Sequence, residues 1–535
     1  MSFVEPATPV KMNSPFSWNA PNVEEWLLRQ AVDLTGTSTG TLSPSVDLFE
    51  QGFDSLSATF LRDRIVEALR SSNDPDTQKA AQDLEQNCVY SFPVIKDLAA
   101  HIAGLTSTSS ADGQVPNKVE GKVRIEEMIE KYTAGLPGPI DIPSLAKCPP
   151  VVVLLTGSFG TLGSQILATL LEDDRIEKVY AFNRRVAGTQ TILQRHIEMF
   201  RDMGLDVGLL ESKKLVFLFG DTTQSGLGLD RGQYGMLCRT VGIIIHNAWK
   251  LDLNLSLPSF EPYIQATRNL INIAKSGQNA STLRFLFMSS ITSAQSWSRS
   301  KGPYPEEVVE DASVAVGGRY GEAKYVAERV LAQSGLHATS LRIGQVSGGH
   351  PRGAWATSDW LPILVKSSLT LGVLPLAEGV VSWVPADAVA KSIIDVALAA
   401  EAPPIALNLV HLHPVEWKSV ISNIKIAVKD VLNKDLGLVS FHDWFESLQS
   451  RAVNATAQDI SSLPAIKLLQ FFRGLAQAND EDVRLGTKGE EIGGFPAFAT
   501  EKMRELSATI RDIDQLGADD ARAWVGYWRD AGFFE

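Results

Sequence analysis

The stretch Val151-Val152-Val153-Leu154-Leu155-Thr156-Gly157-Ser158-Phe159-Gly160-Thr161-Leu162-Gly163 decides the fold. Five apolar residues of strand length run into a turn with the spacing G-x-x-G-x-x-G, and a helical pattern follows over Ser164–Leu171. The first glycine of such a turn permits a tight reversal. The second lets backbone approach a pyrophosphate, and the third lets the helix pack against the strand. The unpaired N–H groups at the helix start then face the phosphates. A Gly-rich βα turn with no ligand is the bland alternative. The rest of the chain supports the dinucleotide reading. Short apolar runs at Val151–Leu155, Lys178–Phe182, Leu215–Phe219, Gly242–His246, Arg284–Met288 and Thr339–Ile343 alternate with longer helical patterns. Continuous apolar runs suit strands covered on both faces, and the alternation predicts an α/β fold with a doubly wound parallel sheet. The turn residues Thr156, Gly157, Phe159, Gly160, Thr161, Leu162 and Gly163 are then candidates to cradle a dinucleotide.

The second strand ends in Ala181-Phe182-Asn183-Arg184-Arg185, and Arg184 stands 21 positions beyond Gly163. A site selective for NAD carries an acidic residue about 20 positions on, where it holds the ribose 2′-OH. Arginine there can pair instead with a 2′-phosphate, so the reading is NADPH. Arg195, in the following helix, is a second candidate anchor. The alternative is that these arginines are simply a solvated strand end.

Tyr320-Gly321-Glu322-Ala323-Lys324 places Tyr320 and Lys324 four apart, on one helix face. An ammonium beside a phenol lowers the phenol pKa, so Tyr320 is expected to be acidified and able to protonate a carbonyl oxygen. Upstream, the run Arg284–Met288 ends in Ser289-Ser290. Ligands bind beyond the carboxyl ends of parallel strands, and Ser290 there could hydrogen-bond the same oxygen. The spacing alone is common and fits a plain surface helix; the glycine turn and strand-end serine in the right order raise its weight.

The chain of 535 residues carries a formal charge of −13, which lacks the footprint of a nucleic-acid binder and opposes anionic membranes. No apolar run approaches the ~20 residues needed to span a bilayer. The opening MSFVEPATPVKMNSPFSW has no basic segment followed by an apolar one. Cys88, Cys148 and Cys238 form no metal-type pair. A cytoplasmic setting, with no metal, is therefore expected. His411 and His413 read as polar surface, and the tryptophans read as core and pocket wall. No G-x-S-x-G elbow and no Walker lysine motif occurs.

The organisation reads as a flexible lead-in over 1–21, a helical unit over 22–105, a polar linker over 106–118, a sheet-bearing part over 119–346 and a mostly helical part over 347–535. In the first unit, Val23, Trp26, Leu27, Ala31 and Leu34 recur at helical spacing, as do Leu61, Ile65 and Leu69, and a third apolar stretch covers Phe92–Leu105. Gly52-Phe53-Asp54-Ser55-Leu56 stands at a loop-to-helix junction, where a serine is ordinarily an N-cap.

The segment DLFEQGFDSLSATFLRDRI resembles the attachment site of acyl and peptidyl carrier domains, and FPVIKDLAAHI resembles their last helix. That resemblance implies a 4′-phosphopantetheine arm on Ser55, installed by a phosphopantetheinyl transferase, with an acyl thioester on its thiol. Residues 146–535 resemble the thioester reductase domain of fungal nonribosomal-peptide-synthetase-like adenylate-forming reductases, to which bacterial carboxylic acid reductases are related. Gly220-Asp221-Thr222, His246-Asn247-Ala248-Trp249, Ser259-Phe260-Glu261-Pro262, Leu341-Arg342-Ile343-Gly344-Gln345, Trp383-Val384-Pro385-Ala386-Asp387 and FPAFATEKMRELS carry it in order. It implies an extended short-chain dehydrogenase (Rossmann) fold with a mostly helical C-terminal substrate part. It further implies that Asp221 and Thr222 line the adenine pocket, Asn247 and Ala248 run under the cofactor, and Gln345 and Val346 approach the nicotinamide. Ser290, Tyr320 and Lys324 would be the catalytic set. The family's adenylation domain does not occur within these residues, so an upstream domain or a separate loading enzyme would supply the acyl group. The expected activity is NADPH-dependent reductive release of an aldehyde, with possible onward reduction to an alcohol. An extended dehydrogenase or epimerase acting on a free substrate, and a non-redox release module, are the rival readings.

Overall fold

A computed structural model describes residues 16–35, 42–49, 51, 53, 55–72, 74–84, 88–106, 118–136, 151–184, 191–252, 255–452, 457–486 and 489–535. Most of the predicted lead-in and linker, and Glu50, Gly52, Asp54, Cys148 and Arg185 among the quoted residues, lie outside these. The chain divides into two compact units, one within Met1–Val115 and one made of Pro116–Leu253 with Phe260–Glu535; Asn254–Ser259 groups with the first.

The first unit contains helices α1 (Ala20–Thr35), α2 (Ser55–Arg70), α3 (Pro75–Asp83), α4 (Cys88–Ser91) and α5 (Ile95–Thr106). Its core is the set of stripes read from the sequence. Val23, Leu27 and Ala31 of α1, Leu61, Ile65 and Leu69 of α2, and Ile95, Leu98, Ala99 and Ile102 of α5 are all buried together. Ser55 is the first residue of α2.

The second unit opens with α6 (Lys118–Thr133) and is built on seven strands: β1 (Val152–Thr156), β2 (Lys178–Asn183), β3 (Leu215–Phe219), β4 (Ile243–His246), β5 (Arg284–Ser290), β6 (His337–Ile343) and β7 (Ala406–Leu409). Their order is β7-β6-β5-β4-β1-β2-β3, all parallel. The six predicted strands are present, each within two residues of its expected ends. The order reverses direction between β1 and β4, and the crevice at that switch point is where such sheets take ligands. Helices α7 (Thr161–Glu172), α8 (Ile192–Met203), α9 (Arg231–Thr240), α10 (Glu261–Ser276) and α11 (Tyr320–Ala332) connect the strands.

The seventh strand was not expected from the sequence. It is four residues long and has Asn408 in its interior, which breaks the apolar run. Asn408 is fully buried, and its Nδ2 donates to the carbonyls of Tyr304 and Ala499 at 2.9 Å each. Nearby, the buried Glu306 carboxylate accepts from the backbone N–H groups of Lys502 (2.6 Å) and Met503 (2.9 Å). These bonds dock the terminal segment FPAFATEKMREL onto the sheet edge. Asn408 Oδ1 finds no partner among the described residues, so the two Nδ2 bonds and the Glu306 clasp offset the cost of burying polar groups here.

A buried ion pair stitches α11 to β6. Arg342 donates to Glu328 through Nε (2.9 Å) and Nη2 (2.8 Å), and its remaining donors reach the carbonyls of Pro305 and Glu307. The other Glu328 oxygen accepts from Ser289 of β5.

Beyond β6 the chain is largely helical, as expected, but it also contributes three two-stranded sheets in addition to β7. Six tryptophans, Trp355, Trp383, Trp417, Trp444, Trp524 and Trp528, are fully buried and form its core. His411 corrects the surface expectation. It is buried, because its ring bridges two backbone groups: Nδ1 accepts from His413 N–H (3.1 Å) and Nε2 donates to the Asp514 carbonyl (3.0 Å). Among the described residues no helix is long and apolar enough to cross a membrane.

Two expectations follow for stability. Glu328→Gln leaves the buried Arg342 guanidinium uncompensated, a change that typically costs about 3–5 kcal/mol. A clear drop in the urea midpoint of the purified protein is expected, against almost none for the exposed Arg529→Ala. The second concerns Glu491, whose buried carboxyl is held by the Ser382 N–H and hydroxyl and is pushed by burial up to about 7. The neutral acid is favoured in the fold, so its contribution is full below the ordinary carboxyl range and lost as pH rises through about 7. Glu491→Gln should therefore gain thermal stability relative to the parent on going from about pH 5 to about pH 8.

Candidate active site

At the end of β1 the glycines meet three different demands. Gly157 has φ 70°, and a Cβ on it would lie 2.7 Å from the Ala248 nitrogen. Gly163, within α7, would place a Cβ 2.0 Å from the Gly157 carbonyl oxygen. Gly160, the N-cap of α7 with φ 113°, has open space where a Cβ would stand and caps the helix without a side chain. The first two glycines bring backbone into contact, and the third keeps the mouth of the turn clear above the helix N-terminus. A diphosphate fits this cradle: exposed N–H donors, a favourable helix dipole and no intruding side chain.

A directional hydrogen-bond chain supports the turn from beneath. The Ala248 N–H donates to Thr156 Oγ1 (3.1 Å), and that hydroxyl donates to His246 Nδ1 (2.9 Å). His246 Nε2 donates to Thr267 Oγ1 (3.1 Å), which donates to the Tyr263 carbonyl (3.1 Å). Burial pushes the imidazole down to about 3, so the ring is neutral and the chain has one consistent direction. Asn247 Nδ2 donates to the Gly157 carbonyl at 2.9 Å. Asn247 and Ala248 are thus locked against the glycine turn.

The other candidate cofactor residues surround this crevice unevenly. Arg184 is exposed just past β2. Arg195 of α8 lays its guanidinium over the Phe159 ring, 4.3 Å from its centre. Asp221 accepts from the backbone and hydroxyl of Thr223 at 3.0 and 2.8 Å, and the Thr222 carbonyl accepts from Asn269 Nδ2 at 2.9 Å. Gln345 bonds the Val346 carbonyl through Nε2 (2.9 Å) and accepts from the Trp360 indole N–H (2.7 Å). It therefore sits where the sheet meets the C-terminal aromatic core.

Ser290 ends β5 and caps the short turn Ile291–Ala294, its Oγ accepting from the N–H (3.2 Å) and hydroxyl (2.9 Å) of Thr292. Helix α11 begins at Tyr320, after Arg319 in the left-handed region with φ 43°. Gly321 allows this start to press on the same turn, since a Cβ there would lie 2.1 Å from the Thr292 carbonyl oxygen. One turn further, Lys324 Nζ donates to the Met288 carbonyl at 2.6 Å. It lies 4.1 Å from the centre of the Trp249 ring and 5.4 Å from that of Tyr320. Trp249 directly follows Ala248, so Ser290, Tyr320 and Lys324 gather beside the glycine turn.

One electrostatic expectation is corrected. The phenol of Tyr320 is raised above its ordinary range by burial, not lowered by Lys324. Burial also drives Lys324 well below the usual ammonium range, opposed by the charge of Glu328. Desolvation disfavours both charged forms, and the ammonium bonds a carbonyl rather than the phenol. Sequence reasoning passed over Gly321, Trp249, Ser158 and His196. A glycine in the first turn of a helix, where propensity favours alanine, was the available signal for Gly321.

Residues 155–393 match the family model described as male sterility protein. Adenylate-forming reductase Nps11 of Serpula lacrymans is 46% identical over 99% of this chain and 49% of its own length. Nps9 of the same fungus is 45% identical over 97% of this chain and 48% of its own. Among solved structures, a thiolation–reductase di-domain from an archaeal non-ribosomal peptide synthetase aligns over 100% of both chains, with a TM-score of 0.62 and 16% identity. That likeness speaks for the fold. The chain spans about half the length of the curated relatives it matches, and over that half it is homologous to proteins named adenylate-forming reductases.

Proposed function

We propose that the protein performs NADPH-dependent reductive release of an acyl thioester as an aldehyde, the acyl group being tethered through 4′-phosphopantetheine on Ser55. The observation that carries this reading is the convergence of Ser290, Tyr320 and Lys324 beside the glycine turn, enforced by Gly321 and by the packing of Lys324 on Trp249. The placement of Ser55 at the start of α2, and the likeness to a thiolation–reductase di-domain, support the tether.

Gly157, Phe159, Gly160, Thr161, Leu162 and Gly163 would hold the diphosphate, with Thr156 supporting the turn from beneath through its hydroxyl. Arg184 and Arg195 would take the 2′-phosphate, Asp221 and Thr222 the adenine, and Asn247, Ala248, Lys324, Gln345 and Val346 the nicotinamide half. When bound, the reduced nicotinamide supplies a hydride to the thioester carbonyl carbon. Ser290 and Tyr320 then stabilise the negative charge that develops on the carbonyl oxygen, placed donors being worth most in a site shielded from water. The high pKa of Tyr320 keeps its proton available to that oxygen. Lys324, held by the Met288 carbonyl, anchors the face against which the reaction runs. Cleavage of the C–S bond returns the thiol to the arm and frees the aldehyde. A second hydride would give the alcohol. Loading calls for an adenylation domain or enzyme, and arming of Ser55 calls for a phosphopantetheinyl transferase. Tethering raises the local substrate concentration, so affinity for the free acyl group need not be high.

In a test of the reading, the protein is armed with phosphopantetheine, loaded with a panel of aromatic and aliphatic acyl groups and given NADPH, with intact mass and aldehyde followed together. Aldehyde should form with loss of the acyl mass. Ser55→Ala should abolish arming, and Tyr320→Phe should slow release by roughly 100-fold or more while cofactor binding persists. An acyl mass unchanged across the panel would refute the reading. For the cofactor, Arg184→Ala should raise the KM for NADPH by about ten-fold and leave NADH kinetics unaltered. Equal rates with the two cofactors, insensitive to that change, would refute NADPH selectivity.

A further inference from the structure

Beneath the glycine turn lies a second buried hydrogen-bond chain, separate from the one through His246. Ser158, the residue after Gly157, is fully buried, and so is His196 of α8. Their side chains meet at 3.0 Å, Ser158 Oγ to His196 Nε2. The other ring nitrogen, Nδ1, lies 2.9 Å from the Ile192 carbonyl, which can only accept. Nδ1 therefore carries the proton and Nε2 is the bare acceptor. The Ser158 hydroxyl donates to it, and that oxygen in turn accepts from Asn183 Nδ2 at 2.9 Å. Asn183 Nδ2 also reaches the Ala181 carbonyl at 3.2 Å, which fixes the orientation of the amide.

The three linked segments are the ones that carry the phosphate-side residues. Ser158 sits inside the glycine turn, Asn183 immediately precedes Arg184, and His196 immediately follows Arg195. The imidazole also props the aromatic platform of the site. Phe159 stands edge-on to it at 5.9 Å, and Phe217 of β3 packs on it at 4.9 Å. Arg195 lies over the Phe159 ring. Burial lowers the imidazole pKa, so the ring is neutral and its acceptor stays available.

We infer that His196 is a positioning residue for the adenosine end of the cofactor, setting Arg184 and Arg195 in register with the glycine turn so that a ribose 2′-phosphate is met by both. This rests on the NADPH reading and deepens it. A hydrophobic side chain at position 196 would remove the closer acceptor of the Ser158 hydroxyl, leaving it only Asn183 Oδ1 at 3.2 Å, and would release Phe159 and Arg195 from their support. A glutamine amide oxygen can stand in for Nε2.

The experiment titrates 2′,5′-ADP and 5′-AMP calorimetrically into the full chain and its His196→Leu, His196→Gln and Ser158→Ala variants, with steady-state kinetics on the loaded protein in parallel. His196→Leu should weaken 2′,5′-ADP by about ten-fold or more, the scale of a lost buried hydrogen bond with its packing, and 5′-AMP by clearly less. His196→Gln should recover most of the affinity. Ser158→Ala, which deletes only the hydroxyl, should shift 2′,5′-ADP in the same direction, and it decides the matter if His196→Leu does not fold. The KM for NADPH should rise while kcat stays within about two-fold, a separation that general loss of structure would not produce. Wild-type preference for 2′,5′-ADP retained undiminished in the variants overturns the positioning role alone. Equal wild-type affinity for 2′,5′-ADP and 5′-AMP overturns the NADPH reading and this inference with it.

Discussion

A Cβ on Gly157 would stand 2.7 Å from the Ala248 nitrogen, so β1 and β4 can run on into touching loops only while that position bears no side chain. The same holds within the turn, where Gly163 lies against the Gly157 carbonyl, and across the crevice, where Gly321 lies against the Thr292 carbonyl. One approach joins the ends of β1 and β4, one folds the glycine turn on itself, and one joins the end of β5 to the start of α11. The first and the last draw together residues distant in sequence. The polar chain from Ala248 through Thr156 and His246 to Thr267 then saturates the groups that this close approach takes out of water. Without that saturation, the buried histidine and two threonines would cost more than the contact contributes.

Close packing of this kind governs the electrostatics of the site. Burial drives Lys324 well below the ordinary ammonium range, and the charge of Glu328 one helical turn on opposes that shift only in part. Its Nζ is held by the Met288 carbonyl and lies over the face of Trp249. Glu328 is in turn held by Arg342 and Ser289. The ion pair that stitches α11 to β6 and the lysine that faces the crevice therefore belong to one charge arrangement. Its members lie on β5, β6 and α11, so the geometry of the Ser290, Tyr320 and Lys324 cluster depends on the sheet being correctly assembled. The raised phenol of Tyr320 follows from the same dryness. A neutral phenol suits a donor that must surrender its proton only when charge appears on a substrate oxygen.

The sheet was legible because strands buried on both faces leave a largely apolar signature, which β1 to β5 carry; β6 is more mixed, its Arg342 being held by Glu328. The short β7 lacks that signature, since Asn408 occupies its centre for reasons that reside in Tyr304 and Ala499, about 100 positions away on either side. Tyr320, Lys324 and Ser290 could be found by spacing, because helix periodicity and strand ends are local. Their ionisation could not, because burial is a property of the assembled unit. The contact of an ammonium with a phenol, implied by the i, i+4 relation, yields here to the carbonyl of Met288. Ser158 shows the same limit in another form. Within a glycine pattern it is an unspecified position, and only the fold reveals that His196, 38 residues on, completes it.

The C-terminal part was the least legible, and the structure shows why it cannot be treated as an appendage. Its tryptophans bury one another at centroid distances of 5–6 Å, as Trp355 does with Trp383 and Trp524, a mutual packing with no periodic trace in sequence. Yet this core reaches the sheet through directed bonds. Trp360 donates to Gln345 just beyond β6, Trp524 donates to the Gly348 carbonyl, and the buried Glu306 clasps the backbone at Lys502 and Met503. Since β7 itself arises from beyond residue 400, the parallel sheet is completed only after the chain has entered this region. The wall that faces the carboxyl ends of the strands is thereby positioned by the same hydrogen bonds that close the sheet edge. The glycine turn is tied to the same region, since Gln165 of α7 donates to the His350 carbonyl at 3.1 Å and Ile166 and Leu167 share one core with Val389 and Ile393.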